Sequence, residues 1–368
     1  MSKGTLFSSE VMAFSEASNG VRVRQLTSHP SIHHHPFYYL PAWDDAMQRL
    51  ILVSHRTGIP QIFAMHWDSG QLMQLTDRSD LNEWSIHPSH DGRFVYFTAG
   101  AGAWRVDTQS LKEEQLVHFE TDNIREKGMV GAAMGTTTLS RDDRWWAIPV
   151  KSGELARFFV VDTSSGKSEI ILEKDSIGHP QFHPDDPNLL RYAGPYHSRI
   201  WTVRRDGSHD KLLYKRDEKK KEWIVHETWR PGTMEILTVN WPKGVIGINA
   251  LTGEVRKVIQ TNAWHPMIDR TGQIMVTDTR DPDVGLKLFT VDLPNNEDLE
   301  VCSTGSSNAG DHWSNDHCPY DDGPVKVYAP QHTHPHPNFS PDGRRIVFTS
   351  DRTGHAHIYE VVLPESFR

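Results

Sequence analysis

Short runs of β-forming residues alternate along this chain with polar turns built on Pro, Asp, Ser and Gly. One unit recurs: a Pro/Asp/Gly turn, an apolar run, a second turn, another apolar run ending near Asp, then a polar turn. It reads "AWDDAMQRLILVSHRTGIPQIFAMHWDSGQLMQLT" from Ala42 and "PSHDGRFVYFTAGAGAWRVDTQS" from Pro88. Further copies start at Ser140, His183, Arg230, Asp269 and Ser340, the last being "SPDGRRIVFTSDRTGHAHIYEVVL". Most are spaced by ~40–50 residues, the period of four-stranded propeller blades. Asp-Gly and Ser-Gly pairs supply the positive φ that tight hairpins need, and no stretch shows a convincing amphipathic helix.

Seven units predict an all-β fold, a seven-bladed β-propeller forming one domain over residues 1–368. The extra strand "VRVRQLT" (21–27) is expected to pair into the last blade and close the ring, which removes exposed sheet edges. One long irregular segment, 303–330, separates the sixth and seventh units; loops of that length commonly act as lids, and this one leads directly into "QHTHPHP" (331–337). The charged run "KRDEKKKE" (215–222) reads as a solvated hairpin tip.

Composition narrows the function. A net charge of -9 argues against general nucleic-acid binding. No run approaches the ~18 apolar residues of a membrane span, and the N-terminal residues lack the features of a secretory signal, so a cytoplasmic location is expected. Two cysteines, Cys302 and Cys318, make no disulfide framework and match no zinc spacing. The 22 histidines and 12 tryptophans are more than a core requires, so their positions matter.

When the units are aligned on the apolar residue before each turn, the fourth to seventh carry His179, His226, His265 and His336 at one register. The second and third carry Glu83 and Thr136 there, so the repeat itself does not demand histidine. The innermost strand of each blade lines the channel of a propeller, so one register on successive blades points at one region of the axis. His334 lies two residues before His336 and faces the same side of an extended strand. A single buried histidine is ordinarily a hydrogen-bonded packing residue; four in register plus His334 imply a shared ligand or catalytic role. "HHHP" (33–36) offers a weaker version of this signal with an ambiguous register. Arg199, in "GPYHSRIW" (194–201), has the chemistry to clamp a carboxylate bidentately.

"GHPQF", "GPYHSRIW", "WIVHETW", "WHPMIDRTG" and above all "QHTHPHPNFSPDGRRIVFTSD" resemble the oligogalacturonate lyases, seven-bladed propellers distantly similar to the TolB propellers. The resemblance runs over nearly the whole chain and is densest from His179 onward. It implies cleavage of short pectin fragments, digalacturonate included, by β-elimination in the cytoplasm. It also implies a manganese site on His265, Gln331, His334 and His336, with His226 as the proton-abstracting base and Arg199 on the substrate carboxylate. His179 and Tyr196 are the further substrate-binding candidates. The chain departs from the family pattern in a shorter segment before Arg199, a longer 303–330 loop and a loosely similar N-terminal unit.

The implied chemistry is self-consistent. The C5 proton of a uronate is weakly acidic because the adjacent carboxylate keeps its negative charge, and a divalent cation with an arginine can take up the charge that develops there. A neutral histidine suits the base. Glycoside hydrolysis would need a carboxylate pair instead, and the registered positions of blades four to seven are all histidine. Imidazole ligands also suit other divalent transition metals, so ligand type alone leaves the ion open. The expected partner is a small acidic oligosaccharide, with no nucleic acid or membrane. Two other readings stay open at this point: a lyase for a different uronate, and a TolB-like binding propeller with a structural metal.

Overall fold

The structure is a computed structural model that describes residues 2–16, 19–120, 135–152, 155–279, 285–293, 298–306 and 333–365. Within them seven antiparallel sheets form in chain order, five of four strands and two of five. The only helical element among the described residues is a 3-10 turn at Glu218–Lys220. No helix among them is long and apolar enough to cross a membrane.

Each blade begins with a short strand placed just before the Pro/Asp/Gly turn, one strand earlier than the units read from the sequence. The turns have a common chemistry. Ser340 Oγ donates to Asp342 Oδ1 at 2.5 Å and Ser89 Oγ to Asp91 at 2.7 Å, with Gly343 and Gly92 following at φ 68° and 74°. In the third blade Asp143 occupies the glycine position at φ 57°, and its carboxylate receives the His90 backbone N–H and lies 2.6 Å from His90 Nδ1. A non-glycine residue is tolerated there because short polar side chains enter the left-handed region at modest cost.

Arg22–Gln25 pairs with His357–Val362, so the N-terminal segment supplies an outer strand of the last blade as expected. Leu6–Phe7 adds a fifth strand to the first blade by pairing with Leu72–Gln74. The ring is therefore closed by hydrogen bonds between distant parts of the chain. Loss of that closure would leave two unpaired sheet edges.

Alternating apolar residues of each blade pack against the next, giving seven buried clusters at the seven junctions. The junction between blades five and six is built on aromatic rings: Trp264 lies 5.1 Å from Trp223 and 4.9 Å from Trp241. An eighth cluster, Phe37, Tyr38, Tyr39 and Leu40, belongs to no junction. It lies on the axis.

One detail refines the sequence reading, and one expectation lies mostly outside the described residues. Within 215–222 Lys215 and residues 218–221 are exposed as expected, but Arg216 and Glu222 are buried, and Tyr214 Oη (2.8 Å) and the Asp217 N–H (2.9 Å) both donate to the Glu222 carboxylate. Residues 303–306 continue from the last strand of blade six, whereas the rest of the expected lid and Gln331 lie outside the described residues.

Burial also makes the fold acid-labile. The rings of His33 and His87 are pushed down from the ordinary imidazole value to about 3, chiefly by desolvation. Each stays neutral in the folded protein at pH 5 but is protonated in the unfolded chain. The unfolded state therefore binds more protons between about pH 6.5 and 3, and stability falls as pH falls through that window. At pH 5 a fully buried ring of this kind costs about 2 kcal/mol. Denaturant unfolding at pH 7 and pH 5 should show that loss, reduced in His87→Gln; an unchanged pH slope in the variant would exclude the assignment.

Candidate active site and metal centre

The innermost strands are bulged at the histidine register. In blade five Val225 pairs with Val239 and Thr228 with Leu237, so His226 and Glu227 together stand opposite Thr238. In blade four Gly178 pairs with Ala193 and Gln181 with Arg191, leaving His179 and Pro180 opposite Tyr192. Bulges of this sort turn a side chain out of the alternation of the strand. His179, His226 and His336 all carry positive φ, at 46°, 56° and 47°. Such a conformation is uncommon for histidine and is retained where surrounding structure enforces it, typically at functional sites. Three rings are thereby aimed at the axis.

One of those rings, His336, converges with two more. The ligand nitrogens of His265, His334 and His336 lie within 4.8 Å of one another. The His265 ring centroid is 4.2 Å from that of His336 and 5.3 Å from that of His334. Nδ1 of His265 donates to Asp278 Oδ2 at 2.7 Å, and Asp278 is fully buried. That bond places the proton on Nδ1 and makes Nε2 the ligand-type nitrogen, the arrangement in which an outer carboxylate orients a metal-binding imidazole. Burial, followed by the neighbouring rings of His265 and His334, drives His336 well below the ordinary histidine value, so it presents a lone pair at neutral pH. The described donor set fits a divalent transition cation. Gln331, the fourth expected ligand, lies outside the described residues.

His226 stands beside this group, its ring 4.3 Å from His265 and 4.5 Å from Trp264. Its Nδ1 is buried with no hydrogen-bond partner among the described residues. Burial first, then His265 and His179, keeps it far below the ordinary value, so the ring is neutral.

On the other flank, Arg199 Nε donates to Glu227 Oε1 at 2.6 Å, and its Nη2 lies 3.5 Å from His179 Nδ1. Burial lowers the His179 ring to about 3, with Arg199 adding to the effect. Glu227 is fully buried and also faces Arg191, whose Nη1 donates to the His179 carbonyl at 2.8 Å and lies 3.5 Å from Glu227 Oε2. The two guanidinium groups hold the Glu227 carboxyl at about 2 against the opposing effect of burial. Among the described residues this flank carries two guanidinium groups against one carboxylate. Tyr196 stands further out, packed on the blade five and six junction with the Arg216 guanidinium 4.1 Å over its ring.

The floor of the site went unrecognised in the sequence. In blade one His34 pairs with Val53 and Trp43 with Leu50, so residues 35–42 stand opposite Ile51 and Leu52 alone. The same bulge that elsewhere aims a histidine is here enlarged into an aromatic plug. Phe37 lies 5.0 Å from His336 and 5.3 Å from His179, and Tyr38 lies 5.3 Å from His265. Tyr38 Oη donates to the Glu227 carbonyl at 2.8 Å, and Asn338 Nδ2 ties down the carbonyls of Tyr38 and Leu40 at 2.8 and 2.7 Å. "HPFYYLP" in the first unit was the available signal, since such an apolar run has no place in a hairpin turn. Glu227 and Arg191 were likewise legible as charges among the apolar residues of strands. Of the "HHHP" residues, His33 stacks on His357 at 5.3 Å, remote from the histidine group.

Glu227→Gln removes the charge that compensates the fully buried Arg191, so a stability loss of about 3 kcal/mol is expected. Thermal melting checks it. A variant that melts with the wild type would show that the two arginines do not depend on this carboxylate.

Comparison with known proteins agrees with this architecture. The model of the family described as oligogalacturonate lyase matches residues 1–367. An oligogalacturonate lyase of Dickeya dadantii (strain 3937) is 22% identical over 100% of this chain and 99% of its own length. An oligogalacturonide lyase of Pectobacterium atrosepticum is also 22% identical, over the same shares. Among solved structures, an oligogalacturonate lyase in complex with manganese is similar with a TM-score of 0.82 at 24% identity, each chain covered fully. An oligogalacturonate lyase from Vibrio parahaemolyticus gives 0.80 at 22%, again over the full length of both chains. The chain belongs to the oligogalacturonate lyase family.

Proposed function

We propose that this enzyme, a lyase by its family, cleaves short oligogalacturonates such as digalacturonate by β-elimination. In this reading His226 takes the C5 proton, and Arg199 with a divalent cation holds the uronate carboxylate. The observation that carries it is the placement of a neutral His226, its Nδ1 without a hydrogen-bond partner among the described residues, beside a three-imidazole group and next in the chain to Glu227, which holds Arg199. His265, His334 and His336, with Gln331, would hold the cation. Manganese is supported as its identity by the solved relative in complex with that ion.

Arg199 is oriented by its bond to Glu227, which fixes the guanidinium plane, and a guanidinium so held has the fork geometry that matches a carboxylate. His226 accepts the proton on a ring that burial has kept neutral, and the guanidinium groups of the Glu227 flank offset the charge growing on the sugar. When bound, the cation would supply Lewis-acid stabilisation of that same charge. Phe37 and Tyr38 close the floor and exclude water from beneath the rings. His179, beside Arg199, and Tyr196 are assigned to substrate binding. The proposal keeps a small acidic oligosaccharide as the partner and the cytoplasm as the compartment.

The test is an ultraviolet assay on digalacturonate with and without chelator. A conjugated product that appears with metal and is abolished by chelation supports the proposal. No product from any uronate oligomer, with the metal loaded, would overturn it in favour of a binding propeller.

A further inference from the structure

A second group of metal-ligand type lies outside the site described above. His34, His55 and Glu83 offer three ligand atoms within 4.8 Å of one another. His34 ends the innermost strand of blade one, His55 follows that blade's second strand, and Glu83 precedes the innermost strand of blade two. Glu83 also occupies, in blade two, the register that holds histidine in blades four to seven. The group therefore looks toward the same channel from blades one and two, next around the ring from blade seven.

The hydrogen-bond geometry around His34 is incomplete without a cation. Its Nδ1 lies 3.0 Å from the His35 carbonyl oxygen, which can only accept, so Nδ1 carries a proton. In a neutral ring Nε2 is then a lone pair, and it faces Glu83 Oε2 at 3.2 Å, another acceptor. His55 Nε2 approaches the same oxygen at 2.7 Å. Two acceptors held this close require positive charge between them. Neighbouring N and O ligands around one ion, each at ~2.0–2.2 Å, stand roughly 3 Å apart, close to the 3.2 Å between His34 Nε2 and Glu83 Oε2. The Nδ1–H to carbonyl bond of His34 is also the orienting contact that metal-bound imidazoles use.

We propose that His34, His55 and Glu83 form a second divalent transition-metal site that clamps blade one to blade two. Two imidazoles and one carboxylate are a ligand set suited to zinc or iron(II), and with three protein ligands the ion keeps open positions for water or an anionic group. Trp84 separates it from the three-histidine centre, stacking on His34 at 4.4 Å and meeting His336 edge-on at 6.0 Å. The carboxylate distinguishes this site from the other, whose described ligands are all neutral.

The competing occupant is a proton on either ring, and a titration separates the two. Full-length protein stripped of metal is titrated with Zn²⁺ and with Mn²⁺, followed by calorimetry and elemental analysis after gel filtration. Two zinc equivalents are expected in the wild type and one in Glu83→Gln and in His55→Gln. The second equivalent should raise the melting temperature of the wild type and do nothing in either variant, both being checked for a normal metal-free melt. One equivalent in the wild type, or two retained in both variants, would overturn the site. Because the readout is stoichiometry rather than turnover, a wild type that binds one ion and still cleaves digalacturonate sinks this inference alone.

Discussion

His226→Ala is expected to lower kcat on digalacturonate by about 10³-fold or more while metal content and melting temperature stay close to the wild type. General-base catalysis by a positioned histidine contributes on the order of 10²–10⁴-fold, and the buried Nδ1 of His226 has no hydrogen-bond partner among the described residues. His226 lies 4.3 Å from His265 yet belongs to a different blade, so its removal does not take away the orienting bond from Asp278 to His265. The split between turnover and metal content is the informative part. Loss of one metal equivalent in this variant would make His226 a ligand, and the base would have to be sought elsewhere. Full activity would remove it from the reaction altogether.

His334→Ala should produce the opposite pattern. Removing an orienting partner behind a metal ligand already weakens metal binding by roughly 10–100-fold, so deleting a ligand itself should exceed about 100-fold. One metal equivalent should be lost on dialysis, and turnover should fall with it and recover in part with excess Mn²⁺. Elemental analysis alongside the ultraviolet assay reads both. Retention of that equivalent would break the ligand set. The comparison also bears on the second cluster: zinc bound at His34, His55 and Glu83 should persist in His334→Ala, since Trp84 stands between the two groups.

These two variants probe residues that were legible in the chain because repetition exposed them. Seven copies of one turn-and-strand pattern supply an internal alignment, and a histidine that recurs in four copies stands out from the 22 as no single one could. Arg199 was legible for a different reason, through a resemblance in "GPYHSRIW" that covers its neighbours as well. Glu227 was passed over although it follows the expected base directly. A carboxylate in a strand alternates to the face opposite its neighbour, and only the bulge at Val225 and Thr228 brings it behind Arg199.

The plug shows the same limit. From the sequence, "HPFYYLP" is an apolar run in the first unit, and nothing local says that it leaves the sheet. It does so because residues 35–42 exceed what Ile51 and Leu52 can pair, and because an axis lined by seven inner strands leaves a space that aromatic rings fill. Asn338, from the far end of the chain, then holds it by two carbonyls.

The sequence by itself determined the strand periods, the turns, the number of blades and the register of the histidines, since each depends on neighbours within a few residues or on repetition of a local pattern. Closure of the ring, the aromatic floor, the pairing of Arg199 and Arg191 with Glu227 and the meeting of His34, His55 and Glu83 were decided only by tertiary structure. Each joins residues whose separation along the chain carries no local signature, and it is the circular arrangement of blades that makes them neighbours.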